Sequence, residues 1–237
     1  MMTLRILSVV MAVFLSACQS PPAPDLHMGK AAEVNVMSLA QPLAKQTKVL
    51  SIDWGPLGSP GQLVIAQVLT YSGKEPVITT PAGWTLIRDD SSGPTTRQTL
   101  YWHVVQASEP SAQTWTFSQR VDAQGAILLL DPAAHTSSLD ISSGQSGSGN
   151  QPIAPSLTTT NDGDLILAFY ASDFGPGGLS VTMPAKMSTV VDKTLAQKEY
   201  WILGGSQTSK GKIENITCDT VQLSNWVAAL LAIKRGS

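Results

Sequence analysis

Four blocks of this sequence occur twice, in the same order. Gly61–Ala66 (GQLVIA) returns as Gly163–Ala168 (GDLILA), 102 positions later. Val77–Ala82 (VITTPA) returns as Val181–Ala185 (VTMPA), with Pro81 against Pro184. Gln98–Trp102 (QTLYW) returns as Gln197–Trp201 (QKEYW), and Ala126–Leu130 (AILLL) as Ala228–Ala232 (AALLA). Blocks that recur at offsets of 99 to 103 point to an internal duplication, so the fold is expected to be built from two similar halves.

The halves read as β-structure. From about Thr47 on, Thr, Val, Ser, Gly and Pro dominate, and short β-branched or aromatic runs are separated by Gly/Pro/Asp/Ser clusters. In Thr99–Val105 the side chains of Leu100, Trp102 and Val104 fall on one face, and Thr99, Tyr101 and His103 on the other. Trp115 and Phe117 share a face. Gly61–Tyr71, Asp164–Ala171, Ala126–Leu130 and Trp226–Ile233 are apolar on both faces and read as central strands packed on two sides. Periodicity alone allows a helix at Trp226–Ile233, but its matching block ends at the turn Asp131-Pro132, which favours a strand. The expected fold is all-β: a two-sheet antiparallel sandwich, jelly-roll-like, with an internal duplication and pseudo-two-fold symmetry.

The amino-terminal segment has a different character. One positive charge in Met1–Arg5 precedes the apolar Ile6–Leu15, followed by Ser16, Ala17 and Cys18. A charged start, a short apolar core and small residues form a secretory signal, too short for a span of about 20 apolar residues. Leu15-Ser16-Ala17-Cys18 resembles the lipobox of bacterial lipoproteins. That resemblance implies cleavage before Cys18, diacylglycerol on its thiol and acylation of the new amino end. Gln19 stands where Asp would favour inner-membrane retention, so the implied site is the cell envelope, at the outer membrane. The expected organisation is a signal peptide over 1–17, a lipid-anchored linker over 18–46 that opens with Pro21-Pro22-Ala23-Pro24, and a β-sandwich domain over 47–237. Within that linker, 30–43 has the makings of a turn or two of helix. With Cys18 assigned to lipid, Cys218 alone offers neither a disulfide nor a zinc site.

A further string lies inside the domain: Pro81–Leu86 (PAGWTL), Tyr101-Trp102, Ala107–Pro110 (ASEP), Thr114–Ser118 (TWTFS), Leu139-Asp140, Ser143–Gln145 (SGQ) and Ala154–Thr160 (APSLTTT). Together they resemble a β-sandwich module of secreted bacterial surface proteins and phage virion proteins. The resemblance implies the fold and no shared activity.

Chemistry is sparse. Net charge is −2 with Lys and Arg scattered, so nucleic-acid binding has no electrostatic footprint. No cofactor or metal motif is present. Of the three histidines, His135 is the one in a loop, after Asp131-Pro132. Gly144–Gly149 gives no G-x-S-x-G register and reads as a flexible Gly/Ser loop. Asp89 and Asp90 are adjacent carboxylates after the Trp84–Arg88 run; Asp131, Asp140, Asp162, Asp164 and Asp173 fall at loops or strand ends, where turn chemistry favours Asp. Of six Trp, Trp54 sits among Gly and Pro and is expected in an exposed loop, as is Phe174; either would stack on a sugar or anchor a partner. The expected function is a membrane-anchored, extracytoplasmic binding module for a glycan or a protein of the cell envelope. Its candidate ligand-binding residues are Trp54, Phe174, Asp89, Asp90 and His135. A structural or assembly accessory role ranks second, and a hydrolase with an Asp-based site third.

Overall fold

The computed structural model describes residues 37–54, 58–73, 75–93, 95–130, 135–173, 187–195, 198–220 and 223–235. Cys18, Phe174 and the Val181–Ala185 block lie outside them. Every regular element described is a strand: β1 (Met37–Asp53), β2 (Leu63–Tyr71), β3 (Ile78–Thr79), β4 (Thr85–Ser92), β5 (Thr96–Val104), β6 (Ala112–Leu129), β7 (His135–Gly149), β8 (Ile153–Ala154), β9 (Leu157–Thr158), β10 (Leu165–Asp173), β11 (Ser188–Leu195), β12 (Lys198–Ser206), β13 (Lys212–Ile213), β14 (Ile216–Thr217) and β15 (Ser224–Arg235). The described part of the chain is therefore all-β, and its sheets are antiparallel.

One sheet runs β1-β6-β2-β5-β4, with β3 added on β6; the other runs β11-β12-β10-β15-β7; β9 pairs with β13 and β8 with β14. The central strands are those whose sequence is apolar on both faces. β2 and β10 are buried almost end to end, as are the later parts of β6 and β15. Strand alternation divides their side chains. Leu63, Ile65 and Leu69 of β2 and Leu165, Leu167 and Phe169 of β10 join one cluster that draws on both sheets, together with Leu100, Tyr200 and Leu231. Val64, Ala66 and Val68 turn the other way, onto Trp54, Trp84 and Trp115. Ile166, Ala168 and Tyr170 turn onto Ile213, Ile216 and Cys218. At the margins, β4 lies against β7 and β1 against β11.

Two stretches differ from the sequence reading. The stretch 37–43 is strand rather than helix, because β1 begins at Met37 and pairs in register from Met37 with Leu129 to Gln41 with Gly125. The ladder then slips near Gln46, whose φ is 47°. Asp122 accepts the Gln46 amide at 2.9 Å and Arg120 donates to the Gln46 carbonyl at 2.7 Å, which stabilises this uncommon backbone. The slip bends β1, and its second part pairs with the start of β6 over the outer face of the sheet. Gly144–Gly149 is edge strand, not loop, paired with β15 from Ala229 to Ser224. Its small residues make room: a Cβ on Gly147 would stand 2.5 Å from Trp226, and one on Gly144 would overlap the Arg88 guanidinium.

Candidate functional site

Two grooves open on the outer side of the first sheet. The first, of about 420 Å³, lies between the segment leading into β3 and the paired strands β4 and β5. Its floor is Tyr101, Thr99 and the Asp89–Arg97 pair, and its rim is Val77 and Leu86. The floor follows from register. Asp89 pairs with Thr99 and Leu86 with Tyr101, so these four side chains leave the ladder on one face. Arg97 Nε and Nη2 donate to the two Asp89 oxygens at 2.8 and 2.5 Å, and Nη1 donates to the Pro76 carbonyl at 2.6 Å. The hydrogen bond to Asp89 raises the Arg97 guanidinium further above its ordinary range, against a lowering by burial. Burial, then the neighbouring Asp89 charge, pushes the Tyr101 phenol up to about 12, so it stays a neutral donor at physiological pH. Above this fixed floor, Val77 is 70% and Leu86 54% exposed.

The second groove, of about 460 Å³, is lined by Pro81, Gly83, Gln106, Glu109 and Gln113 over His103. His103 Nδ1 donates to the Gly83 carbonyl at 2.9 Å, and Nε2 faces Glu109 Oε1 at 2.7 Å. The same oxygen accepts the Gln106 amide at 2.7 Å, and Gln113 Nε2 donates to Oε2 at 3.3 Å. Burial opposes ionisation of Glu109, but the bonds from His103, Gln106 and Gln113 outweigh it and hold the carboxyl below the ordinary range. Both ring nitrogens of His103 thus face acceptors, and neither is free to take a proton from a substrate. The dyad ties the turn after β5 to the turn before β4, where Gly83 has φ 83° and a Cβ would stand 2.9 Å from the imidazole.

Trp54 is not an exposed loop residue. It is 2% exposed, its indole donates to the Pro110 carbonyl at 2.7 Å, and its amide donates to the Ser111 carbonyl at 2.9 Å. Its ring lies 6.4 Å from Trp84, which stacks on His103 at 5.3 Å and meets Trp115 edge-on at 5.2 Å. The bent second part of β1 carries Trp54 into this cluster and withdraws it from any ligand.

Asp89 and Asp90 do not form a facing carboxylate pair. Neighbours on a strand point to opposite faces. Asp89 enters the first groove, while Asp90 pairs with Gln98 in the ladder and accepts from Arg88 Nε and Nη2 at 2.5 and 2.7 Å on the side facing β7. His135 is the first residue of β7, its backbone in register with Arg235, rather than a loop residue; its side chain lies outside the described set. Among the described residues, no group of three His, Cys, Asp or Glu is placed to hold a metal.

Of the sequence candidates whose side chains are described, Trp54, Asp89 and Asp90, the structure brings Asp89 alone into a groove. Arg97, Tyr101 and the His103–Glu109 pair escaped the sequence reading. Arg97 meets Asp89 through strand register, and Glu109 meets His103 across a turn; the alternation of Tyr101 and His103 was the one local signal for either. Comparison with protein-family models, with curated proteins and with solved structures found no match to this chain.

Proposed function

We propose that this chain is a lipid-anchored module of the bacterial envelope that binds a protein segment in the groove over Asp89 and Arg97. The anchor is inferred from the signal-like segment ending at Cys18 and its lipobox resemblance, with outer-membrane placement following from Gln19. The scaffold is inferred to be a two-sheet sandwich duplicated about a pseudo-two-fold axis. Three observations support that reading. The shared cluster draws on both sheets. The strand orders β4-β5-β2-β6-β1 and β11-β12-β10-β15-β7 correspond strand for strand. Gly61 and Gly163, at φ 86° and 76°, precede β2 and β10, and the next carbonyl accepts Val105 N or Gln207 N, each at 2.9 Å. Within this reading the pairing moves two of the four sequence blocks. Ala66 pairs with Tyr101 and Ala168 with Leu203, so Tyr101 corresponds to Leu203, not to Tyr200. Gln67 pairs with Ala126 and Phe169 with Ala229, so Ala126 corresponds to Ala229.

The observation that carries the binding role is the exposure of Val77 and Leu86 beside a rigid, charged floor. Apolar rim residues around fixed polar groups are what a protein partner uses for anchoring and register. A glycan is served less well. Sugars stack on open aromatic faces, and Trp54, Trp84, Trp115, Trp201 and Trp226 are all buried in the core. A hydrolase finds little support: the His103–Glu109 pair is internally satisfied, and Asp89 is held in an ion pair.

The test is crosslinked capture from intact envelopes with the full chain, comparing wild type with Val77→Asp and Leu86→Asp. Both side chains are exposed, so folding is retained, and capture of the partner is expected to fall at least tenfold. Leu223→Asp, at another exposed apolar position, is the control. A partner retained equally by all variants would overturn the groove assignment. Saturable binding on a glycan array would overturn the choice of protein over sugar.

A further inference from the structure

A second pair of acids stands apart from both grooves. Asp164 follows Gly163 immediately before β10, is 0% exposed, and neither of its oxygens receives a hydrogen bond of ordinary geometry. Asp140 is its acidic neighbour: Leu139 and Leu165, next to the two acids in the chain, both pair with Ile233, and each carboxyl bears on the ionisation of the other. Asp140 is the extra residue of a bulge in β7: Ile141 pairs with Ala232 and Leu139 with Ile233, which leaves Asp140 unpaired. Its own oxygens are engaged, accepting Thr160 N at 2.7 Å and Thr160 Oγ1 at 2.5 Å. The two acids therefore bridge the β7 bulge and the segment that leads into β10.

The other groups near the pair are few. Lys234 and the Arg235 amide of β15 favour ionisation, though the Arg235 amide is not in hydrogen-bond geometry. Asp162 is turned away and accepts the Lys210 amide. Gln207 of the facing strand end meets only the Asp164 carbonyl among these atoms. Two neighbouring anions, one wholly buried, disfavour each other, whereas a carboxylic acid beside a carboxylate supplies the missing donor. The first sheet supports this comparison. Gln62, which follows Gly61 as Asp164 follows Gly163, is a neutral side chain and donates to the Leu130 carbonyl at 2.6 Å.

We propose that Asp164 and Asp140 share one proton from mildly acid pH up to the neutral range, Asp164 as the acid and Asp140 as the anion, and that this proton fastens edge strand β7 to the start of β10. Burial, then the hydrogen bond and charge of Asp140, place the Asp164 carboxyl at about 7, while Thr160 holds Asp140 below its ordinary range despite burial. Removing the proton leaves two adjoining charges at the bulge and loosens β7.

The experiment is a carboxyl-carbon NMR titration of the full chain with labelled aspartate, from acid to pH 9, resonances being assigned by Asp164→Asn and Asp140→Asn. The expected result is one aspartate titrating near neutrality and lost in Asp164→Asn, and a lower apparent value for Asp164 in Asp140→Asn. The urea midpoint is expected to fall between pH 5 and 8 in wild type and to stay flat over that interval in Asp164→Asn. Asp164 titrating with the ordinary carboxylates would overturn the proposal. So would a calcium-induced shift of both resonances at micromolar metal, which would put a cation where the proton is placed. If Asp164→Asn fails to fold, the wild-type titration and Asp140→Asn still decide the question.

Discussion

Arg97 grips both oxygens of Asp89 across the β4–β5 ladder, and its third nitrogen reaches the Pro76 carbonyl, so one side chain fixes two walls of the same groove. The pair is partly exposed, and solvent limits what it adds to stability. Arg97→Met is therefore expected to cost only about 1 kcal/mol in urea unfolding, yet to weaken partner capture as strongly as Leu86→Asp. Capture unchanged in Arg97→Met would separate the ion pair from recognition.

Trp54→Ala should behave in the opposite way. The side chain is fully buried in the outer core of the first sheet, and its removal is expected to cost about 3–5 kcal/mol. At temperatures where the variant remains folded, capture should match wild type. Selective loss of capture without loss of stability would restore Trp54 as a contact residue.

Trp54 also marks where sequence reading runs out. The strands apolar on both faces were legible because their pattern is local, and so was the alternation that sends Leu100 inward and Tyr101 outward. Trp54 precedes a Gly/Pro-rich stretch, the local mark of a loop. Its burial depends on the bend at Gln46 and on pairing with β6, which are non-local. Gly144–Gly149 misled for a similar reason. Its composition has low strand propensity, but its neighbours Arg88 and Trp226 need the space that small residues leave. The first groove joins residues from three separated segments, and the Asp89–Arg97 contact exists only once β4 and β5 are in register.

Gly144→Ala tests that packing. The added methyl would overlap the Arg88 guanidinium and displace its bond to Asp90, at an expected cost of about 1–3 kcal/mol. Ser146→Ala, two residues along the same strand and exposed, should change stability by less than about 0.5 kcal/mol. Equal effects from the two would show that Arg88 does not rest on β7 as described.

Acid unfolding should report on Glu109. Its folded value lies below its unfolded one, so its contribution is fully present above the unfolded carboxylate range and is lost as pH falls through the folded value. Glu109→Gln is expected to lower the urea midpoint at pH 7 and to flatten the decline between pH 5 and 3. The flattening will be partial, because Asp140 contributes in the same direction. An unchanged acid limb would mean that His103 and Gln106 do not favour the anion.

Each main sheet ends on a strand that abuts the margin of the other, β4 on β7 and β1 on β11. Long bare margins invite neighbouring molecules to add strands, a hazard that grows with local concentration. Here each outermost strand has the margin of the other sheet as a close neighbour, which narrows the room for an added strand. A strand arriving from a neighbouring molecule would have to compete with that packing at the margin.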